Sequence, residues 1–251
     1  MNEQSLKISA FVICKNEERV IERCFESLTW ADEIVVVDNF STDKTPEIAK
    51  KWTKKFFQSS TNHFGELRNF ALSKCEHPWV FFLDADEFCS PELIAWFQNF
   101  KKVGPEGVEN TVVNSPWWHP HGQPKTDRID LYEIRRLEHF QGKLYRYGSG
   151  NPSYQWRFFR REGTHFVNPI HEYAVIDGQV RRLEMPIYHM PRASLEDIVR
   201  KMNRYSTLDA EELYRKGVKR PVTYMFFSGF AMFLKAYVRK QGFRDGVLGF
   251  I

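Results

Sequence analysis

The chain of 251 residues has only four cysteines, at 14, 24, 75 and 89, and none stands in a CxxC pair. That spacing excludes the common zinc-cluster frameworks and fits buried free thiols in a reducing compartment. No apolar run is long enough to cross a bilayer as a helix. The best one near the C-terminus, residues 221–234, falls short of the roughly 20 residues required. The opening MNEQSLKIS has no apolar signal core, so the expected compartment is the cytoplasm. Glycine is missing from VICKNEE, after the first apolar run, which argues against the Gly-rich phosphate loop of a nucleotidyltransferase. There is no internal repeat, no low-complexity linker and no nucleic-acid recognition motif. A net charge of +4 is also too small to indicate nucleic acid as a partner.

What is abundant is aromatic. Phe, Trp and Tyr make up 16% of the residues, with 22 Phe. That implies a large aromatic core, or apolar surface meant for a partner or membrane. Charge is asymmetric: from Arg192 onward there are 12 Lys and Arg against 6 Asp and Glu, and before it 24 against 26. A basic C-terminal segment suggests an anionic partner, foremost a membrane surface.

Along the first hundred residues, strand and helix patterns alternate. Residues 8–13, 33–37, 56–58 and 79–83 read as strands. Residues 17–28, a stretch through Ile48 and Trp52 capped by Thr42 or Asp43, and 66–73 read as helices. A further helix begins with Ser90 at the N-cap and Pro91 at N1 and runs to about residue 102. This alternation predicts an α/β fold around a mostly parallel sheet covered on both faces. Residues 103–190 read as mixed or antiparallel strands and loops. Helical spacing returns from Ser194, with a second helix after Pro221. The expected division is 1–190 as one domain, with halves 1–102 and 103–190, and 191–251 as a helical appendage.

Two of the buried strands end in carboxylates. VVV leads to Asp38 and FFL leads to Asp84-Ala-Asp86. Ligands of open α/β sheets bind beyond the carboxyl ends of strands. In an extended backbone Asp84 and Asp86 point the same way, and paired oxygens suit Mg²⁺ or Mn²⁺ carrying phosphate. Glu87 reads equally as local charge or as a cap or surface residue. Ser41, Thr42 and Asp43 read as turn formers.

ISAFVICKNEERVIERCFESLTWADEIVVVDNFSTDKTPEIAKKW and GELRNFALSKCEHPWVFFLDADE resemble the nucleotide-sugar half of a family 2 glycosyltransferase of GT-A, Rossmann-like fold. RFFRRE, NPIHEYAVIDG, PIYHMPRASLEDIVRKMNRYS and KAYVRKQGFRDGVLGF resemble the bacterial lipopolysaccharide-core glucosyltransferases. The QxxRW pattern of processive synthases is missing, so a single addition is expected. The resemblance implies an inverting, metal-dependent hexosyltransferase. It would move one sugar, glucose, from a UDP-sugar to a lipopolysaccharide-core or related glycolipid.

It also implies roles. Asp38 would hold the base near Cys14, Lys15, Asn16 and Glu17. Arg68 and Asn69 would flank base and ribose. Asp84 would meet ribose or metal, and Asp86 the metal. Glu172 would be the base that deprotonates the acceptor, with His171 as its neighbour; Asp127 and Asp130, in a polar loop, are fallback bases. His189 would offer an imidazole to the Mg²⁺ or Mn²⁺. Arg157 and Arg160 would contact diphosphate, while Arg161 reads as a solvated charge. Trp117, Trp118, His119 and His121 form an aromatic polar loop suited to core packing or sugar stacking.

The C-terminal segment, aromatic then basic, suits a helix lying in a bilayer interface. The protein is then expected on the inner face of the cytoplasmic membrane. The competing reading is a non-catalytic nucleotide-sugar-binding module tethered to the membrane.

Overall fold

The computed structural model describes residues 5–61, 63–108, 113–114, 124–140, 143–148, 153–167, 173–191, 195–219 and 221–250. The first half runs β1 (Ile8–Cys14), α1 (Ile21–Glu26), β2 (Glu33–Asp38), α2 (Thr45–Trp52), β3 (Lys55–Gln58), α3 (Phe64–Lys74), β4 (Trp79–Asp84), β5 (Glu87–Cys89) and α4 (Pro91–Gly107). Then follow β6 (Val113–Asn114), β7 (Ile129–Phe140), β8 (Lys143–Leu144), β9 (Ser153–Arg160), β10 (His165–Val167), β11 (Tyr173–Val175) and β12 (Gln179–His189). The chain ends in α5 (Leu195–Arg215), α6 (Val222–Leu234), a π-helical turn, a 3₁₀ turn and α7 (Val247–Phe250).

The strands order as β3-β2-β1-β4-β9-β7-β12-β5, with β6 beside β12. The first four are mutually parallel, as the alternating pattern predicts. β9 pairs antiparallel with β4 and with β7, and β5 with β12. The sheet is therefore mixed, in an α/β layer architecture.

Both faces of the parallel part of the sheet are covered, so β1, β2 and β4 are apolar over most of their length. Ile8, Ala10 and Val12 face one cluster with α1 and α4; Phe11 and Ile13 face another with α3. The aromatic excess has two destinations. Trp79, Trp96, Phe97, Phe100, Tyr132 and Phe158 form a buried cluster of mutually contacting rings. The other destination is the exposed face of α6, which carries Phe227 and Phe230.

Several expected boundaries shift for local reasons. Residues 17–20 form a turn, because the Glu17 carbonyl accepts from both Val20 and Ile21 N–H, each at 3.0 Å. Asp43 does not cap α2 from the N-cap position; that position is Lys44, and Asp43 instead accepts the Thr45 N–H at 3.0 Å. Ser90 caps α4 as expected, accepting the Leu93 N–H at 3.2 Å. Gly104, at φ 73°, followed by Pro105, breaks α4 near the expected end. β7 was not foreseen: charged residues interrupt its alternation. It also corrects the polar-loop reading of Asp130, which lies on this strand and is buried. Its carboxylate accepts from Arg128 Nε at 2.7 Å and from the Gly178 N–H at 2.8 Å. A Cβ at Gly178 would stand 2.2 Å from the Arg128 carbonyl oxygen, so only glycine fits. Asp130 is a structural staple, not a base.

The chain divides into two compact units. One holds residues 1–137 and 153–190, the other 138–152 and 191–251. In the second, Asp245 accepts the Arg146 and Tyr147 N–H groups, and Gly148 N–H donates to the Lys240 carbonyl.

At the amino ends of the strands, Glu33 gathers Lys55, the Ser9 hydroxyl and the Glu76 N–H. Burial alone would raise its carboxyl, but these donors outweigh it and hold the pKa below its ordinary 4.5. A depressed folded pKa contributes stability that is present above pH 4.5 and is lost as pH falls through the folded value. Glu33→Gln is expected to lower stability at pH 7 by about 2 kcal/mol. It should also flatten the acid limb below pH 4.5, measured by urea denaturation across pH.

Candidate active site

The carboxyl ends of β1, β2 and β4 come level. Cys14 pairs with Asp38, and Ile13 with Asp84. Asp38 is fully buried. Its carboxylate accepts from the Ser41 N–H and Gln58 Nε2, each at 3.0 Å, and from the Ser41 hydroxyl. It shapes the loop that follows rather than standing open. Burial, with the Asp38 charge beside it, pushes the Cys14 thiol well up, so the thiol is inert. Exposed Lys15 donates to Asn39 Oδ1 at 2.8 Å, and Asn39 in turn donates to the Ser59 and Thr61 carbonyls. Asn16, at φ 57°, accepts the Thr42 N–H, and the Glu17 N–H donates to Thr45 Oγ1. Phe40, at φ 51° and exposed, presents a ring on this loop. A non-glycine residue at positive φ is uncommon, and such strain clusters at functional sites. The residue type gave no warning of it.

Asp84 and Asp86 do not follow the extended-backbone expectation, because a turn begins directly after β4, and they have different partners. Asp84 Oδ1 accepts from Arg68 Nη2 at 3.0 Å and Oδ2 from Arg157 Nη2 at 2.7 Å. Burial would raise this carboxyl, but Arg157 and then Arg68 hold it well below the usual carboxylate range. Asp86 Oδ2 stands 3.2 Å from His189 Nε2 instead. That spacing is a hydrogen bond between the two side chains, and a carboxylate oxygen with an imidazole nitrogen is a donor set that Mg²⁺ or Mn²⁺ accepts, so these two residues would hold the ion. Among the described residues no group of three or more His, Cys, Asp and Glu gathers. The remaining positions would fall to water and phosphate, which is how Mg²⁺ is usually held.

Glu87 is neither a cap nor a surface residue. It is buried, accepts from Arg157 Nη2 at 2.7 Å through Oε1, and takes the Asp84 N–H at 3.1 Å through Oε2. Burial and the nearby Asp84 charge raise its carboxyl despite Arg157. Arg157 reaches both acids through a β-bulge. Tyr132 pairs with Phe158 and Glu133 with Trp156, so Arg157 is the extra residue on β9. Bulges beside active sites re-aim a side chain in this way.

Other expected residues lie elsewhere. Arg160 pairs across from Trp79, at the far end of β4, and donates to the Ile129 carbonyl, so it is remote from Asp84. The Asn69 amide is spent on both backbone groups of Phe166, each at 2.8 Å, clasping β10 to α3. Among the described residues exposed Asp127 accepts from Gln179 Nε2 at 3.4 Å, and Arg161 donates to the His77 carbonyl. His171, Glu172, Trp117, Trp118, His119 and His121 lie outside the described residues. Arg136, 3.5 Å from Glu87, was not singled out from the sequence; on a strand dense in charges nothing marks it.

Arg157→Ala would leave Glu87 and Asp84 without their shared counter-charge. It is expected to cost about 3 kcal/mol or more, read from the urea midpoint.

A family profile described as glycosyl transferase family 2 matches residues 9–165. The lipopolysaccharide core biosynthesis glycosyltransferase LpsC of Rhizobium meliloti is 31% identical over 253 residues, covering 98% of this chain and 86% of that one. An uncharacterized glycosyltransferase of Rickettsia typhi is 31% identical over 265 residues, covering 98% and 81%. Among solved structures, mannosyl-3-phosphoglycerate synthase from Rubrobacter xylanophilus superposes with a TM-score of 0.51 at 14% identity, over 86% of this chain and 77% of that one. That likeness concerns the fold alone. With strand-end acids in place and a profile spanning most of its length, the chain belongs to glycosyl transferase family 2 and is a nucleotide-sugar-dependent glycosyltransferase.

Proposed function

We propose that the protein moves one glucose from a UDP-sugar, with inversion, to a lipopolysaccharide-core or related glycolipid acceptor. The observation that carries this reading is the Asp86–His189 pair at 3.2 Å, set beside the Asp84 carboxylate that two arginines clamp. The name and full-length similarity of the Rhizobium meliloti relative support the acceptor class.

The loop after β2 takes the base, with Lys15 and Phe40 at its exposed rim and Asp38 holding its shape. Asp84, fixed by Arg68 and Arg157, positions the ribose and the sugar. Asp86 and His189 would hold Mg²⁺ or Mn²⁺. When bound, the cation offsets charge developing on the leaving nucleoside diphosphate. Glu172, directly before β11 in the chain, removes the proton of the acceptor hydroxyl, and His171 orients it.

The two functional parts are 1–190 for catalysis and 191–251 for the membrane. No helix among the described residues is long and apolar enough to cross a membrane. Yet α6 exposes Phe227, Phe230 and Met232, and basic residues Lys235, Arg239 and Lys240 follow it. Such a helix rests in the interface of a membrane with anionic lipid, on its cytoplasmic face.

UDP is expected to bind in the micromolar range, about −8 kcal/mol, with Mn²⁺ present. Asp86→Ala or a chelator should weaken it at least tenfold in calorimetry. Binding indifferent to both would remove the cation from the reading. Glu172→Gln should abolish turnover while leaving UDP affinity intact. On flotation with vesicles, the wild type should rise with anionic lipid and less with zwitterionic lipid. The Phe227→Ser/Phe230→Ser variant should stay below; equal flotation of that variant would refute the α6 contact.

A further inference from the structure

The loops after β2 and β3 leave the same edge of the sheet, because Asp38 pairs with Gln58 at the ends of these parallel strands. Asn39 joins the two loops: its amide donates to the Ser59 and Thr61 carbonyls at 3.1 and 2.7 Å. Each loop leads to a large ring on the surface. Phe40 is 52% exposed, and Phe64, the first residue of α3, is 38% exposed. In the unit of residues 1–137 and 153–190, the exposed large hydrophobic side chains among the described residues are these two and Val103 on α4. Both aromatic ones therefore stand on strand-end loops, where ligands of such sheets bind.

The polar side chains of the loop after β2 are engaged within the protein. Buried Asp38 accepts from Ser41 and from Gln58. Asn39 spends its amide on Ser59 and Thr61 and its oxygen on Lys15. Asp43 accepts the Glu18 and Thr45 N–H groups, and the Thr42 hydroxyl stands 3.4 Å from Asn16 Oδ1. Groups satisfied in this way have little left with which to tell one base edge from another.

Phe40 is held differently. A φ of 51° is an outlier for a bulky residue and costs energy. The hydrogen bonds of Asn39 on one side and of Ser41 on the other impose it. What this strained position delivers is an exposed ring. Every base has a π-face, so an aromatic ring holds bases with little regard for their identity.

We propose that the nucleobase of the donor is held by stacking on Phe40, with Phe64 as a second ring of the same rim, and that the site therefore tolerates different bases. The proposal rests on the nucleotide-sugar reading and names the part of the nucleotide that this loop grips.

The test is calorimetry on the full chain saturated with Mn²⁺, titrated with UDP, CDP, GDP, ADP and pyrophosphate. The four nucleotides are expected to bind within about tenfold of one another, and pyrophosphate at least tenfold more weakly. Phe40→Gly suits a positive φ, so it should not lower the urea midpoint. It should weaken all four nucleotides about tenfold or more and leave pyrophosphate unchanged. Phe40→Trp should bind them as the wild type does, and Phe64→Ser should weaken them in the same direction as Phe40→Gly. A preference for UDP of more than about tenfold over the other three would overturn the proposal and leave the nucleotide reading standing. So would equal UDP affinity in Phe40→Gly. A midpoint that falls together with affinity in that variant would make the ring structural, with the same consequence. No binding of any of the four would overturn both readings.

Discussion

A buried arginine between two acids organises the strand-end site. Arg157 is 3% exposed and donates 2.7 Å hydrogen bonds to both Asp84 and Glu87. Removing ions from water costs several kcal/mol each, and such a cluster persists only when geometry and hydrogen bonds are good. The bulge in β9 supplies that geometry. Glu87, fixed by Arg157, also takes the Asp84 N–H and so sets the turn after β4. It pairs with His189 across β5 and β12, and that pairing brings the imidazole to Asp86. One charge balance therefore links the sugar side, the turn and the candidate cation ligands.

Polar groups in this chain fall into two kinds. Some are spent inside the protein. Asn69 clasps Phe166, Asp130 staples Gly178, and Asp38 closes its loop through Ser41 and Gln58. Each is satisfied, and satisfaction is what lets a polar group be buried cheaply. Others line the cavity beside Asp84, as Arg68, Arg136 and Arg157 do. The support beneath them is Phe82, over which Arg68 and Arg157 lie and which packs on Phe11, Phe159 and Phe166 at centroid distances of 5.0–6.1 Å. Dense packing of this kind transmits little slack to the strand ends.

The alternating strands and helices of the first hundred residues were legible because their periodicities are local, and so were Ser90 and Pro91 at the start of α4. The acids at 38, 84 and 86 were legible as strand-end residues, since position along a strand is a property of the sequence itself. The density of family-typical segments also fixed the family.

What the sequence could not decide was partnership across distance. Asp84 and Asp86 looked like a matched pair and proved to face different partners, because the chain turns between them. Glu87 read equally as local charge or as a cap or surface residue and is buried, because arginines 49 and 70 positions later in the chain come to it. Arg157 and Arg160 looked equivalent; an extra residue in β9 sends one to the strand-end acids and leaves the other at the opposite end of β4. Local sequence determined which elements form and where their ends lie, through side-chain periodicity and capping. Only the tertiary structure decided which charges meet, because desolvation and pairing energies depend on neighbours that the chain brings together from far apart.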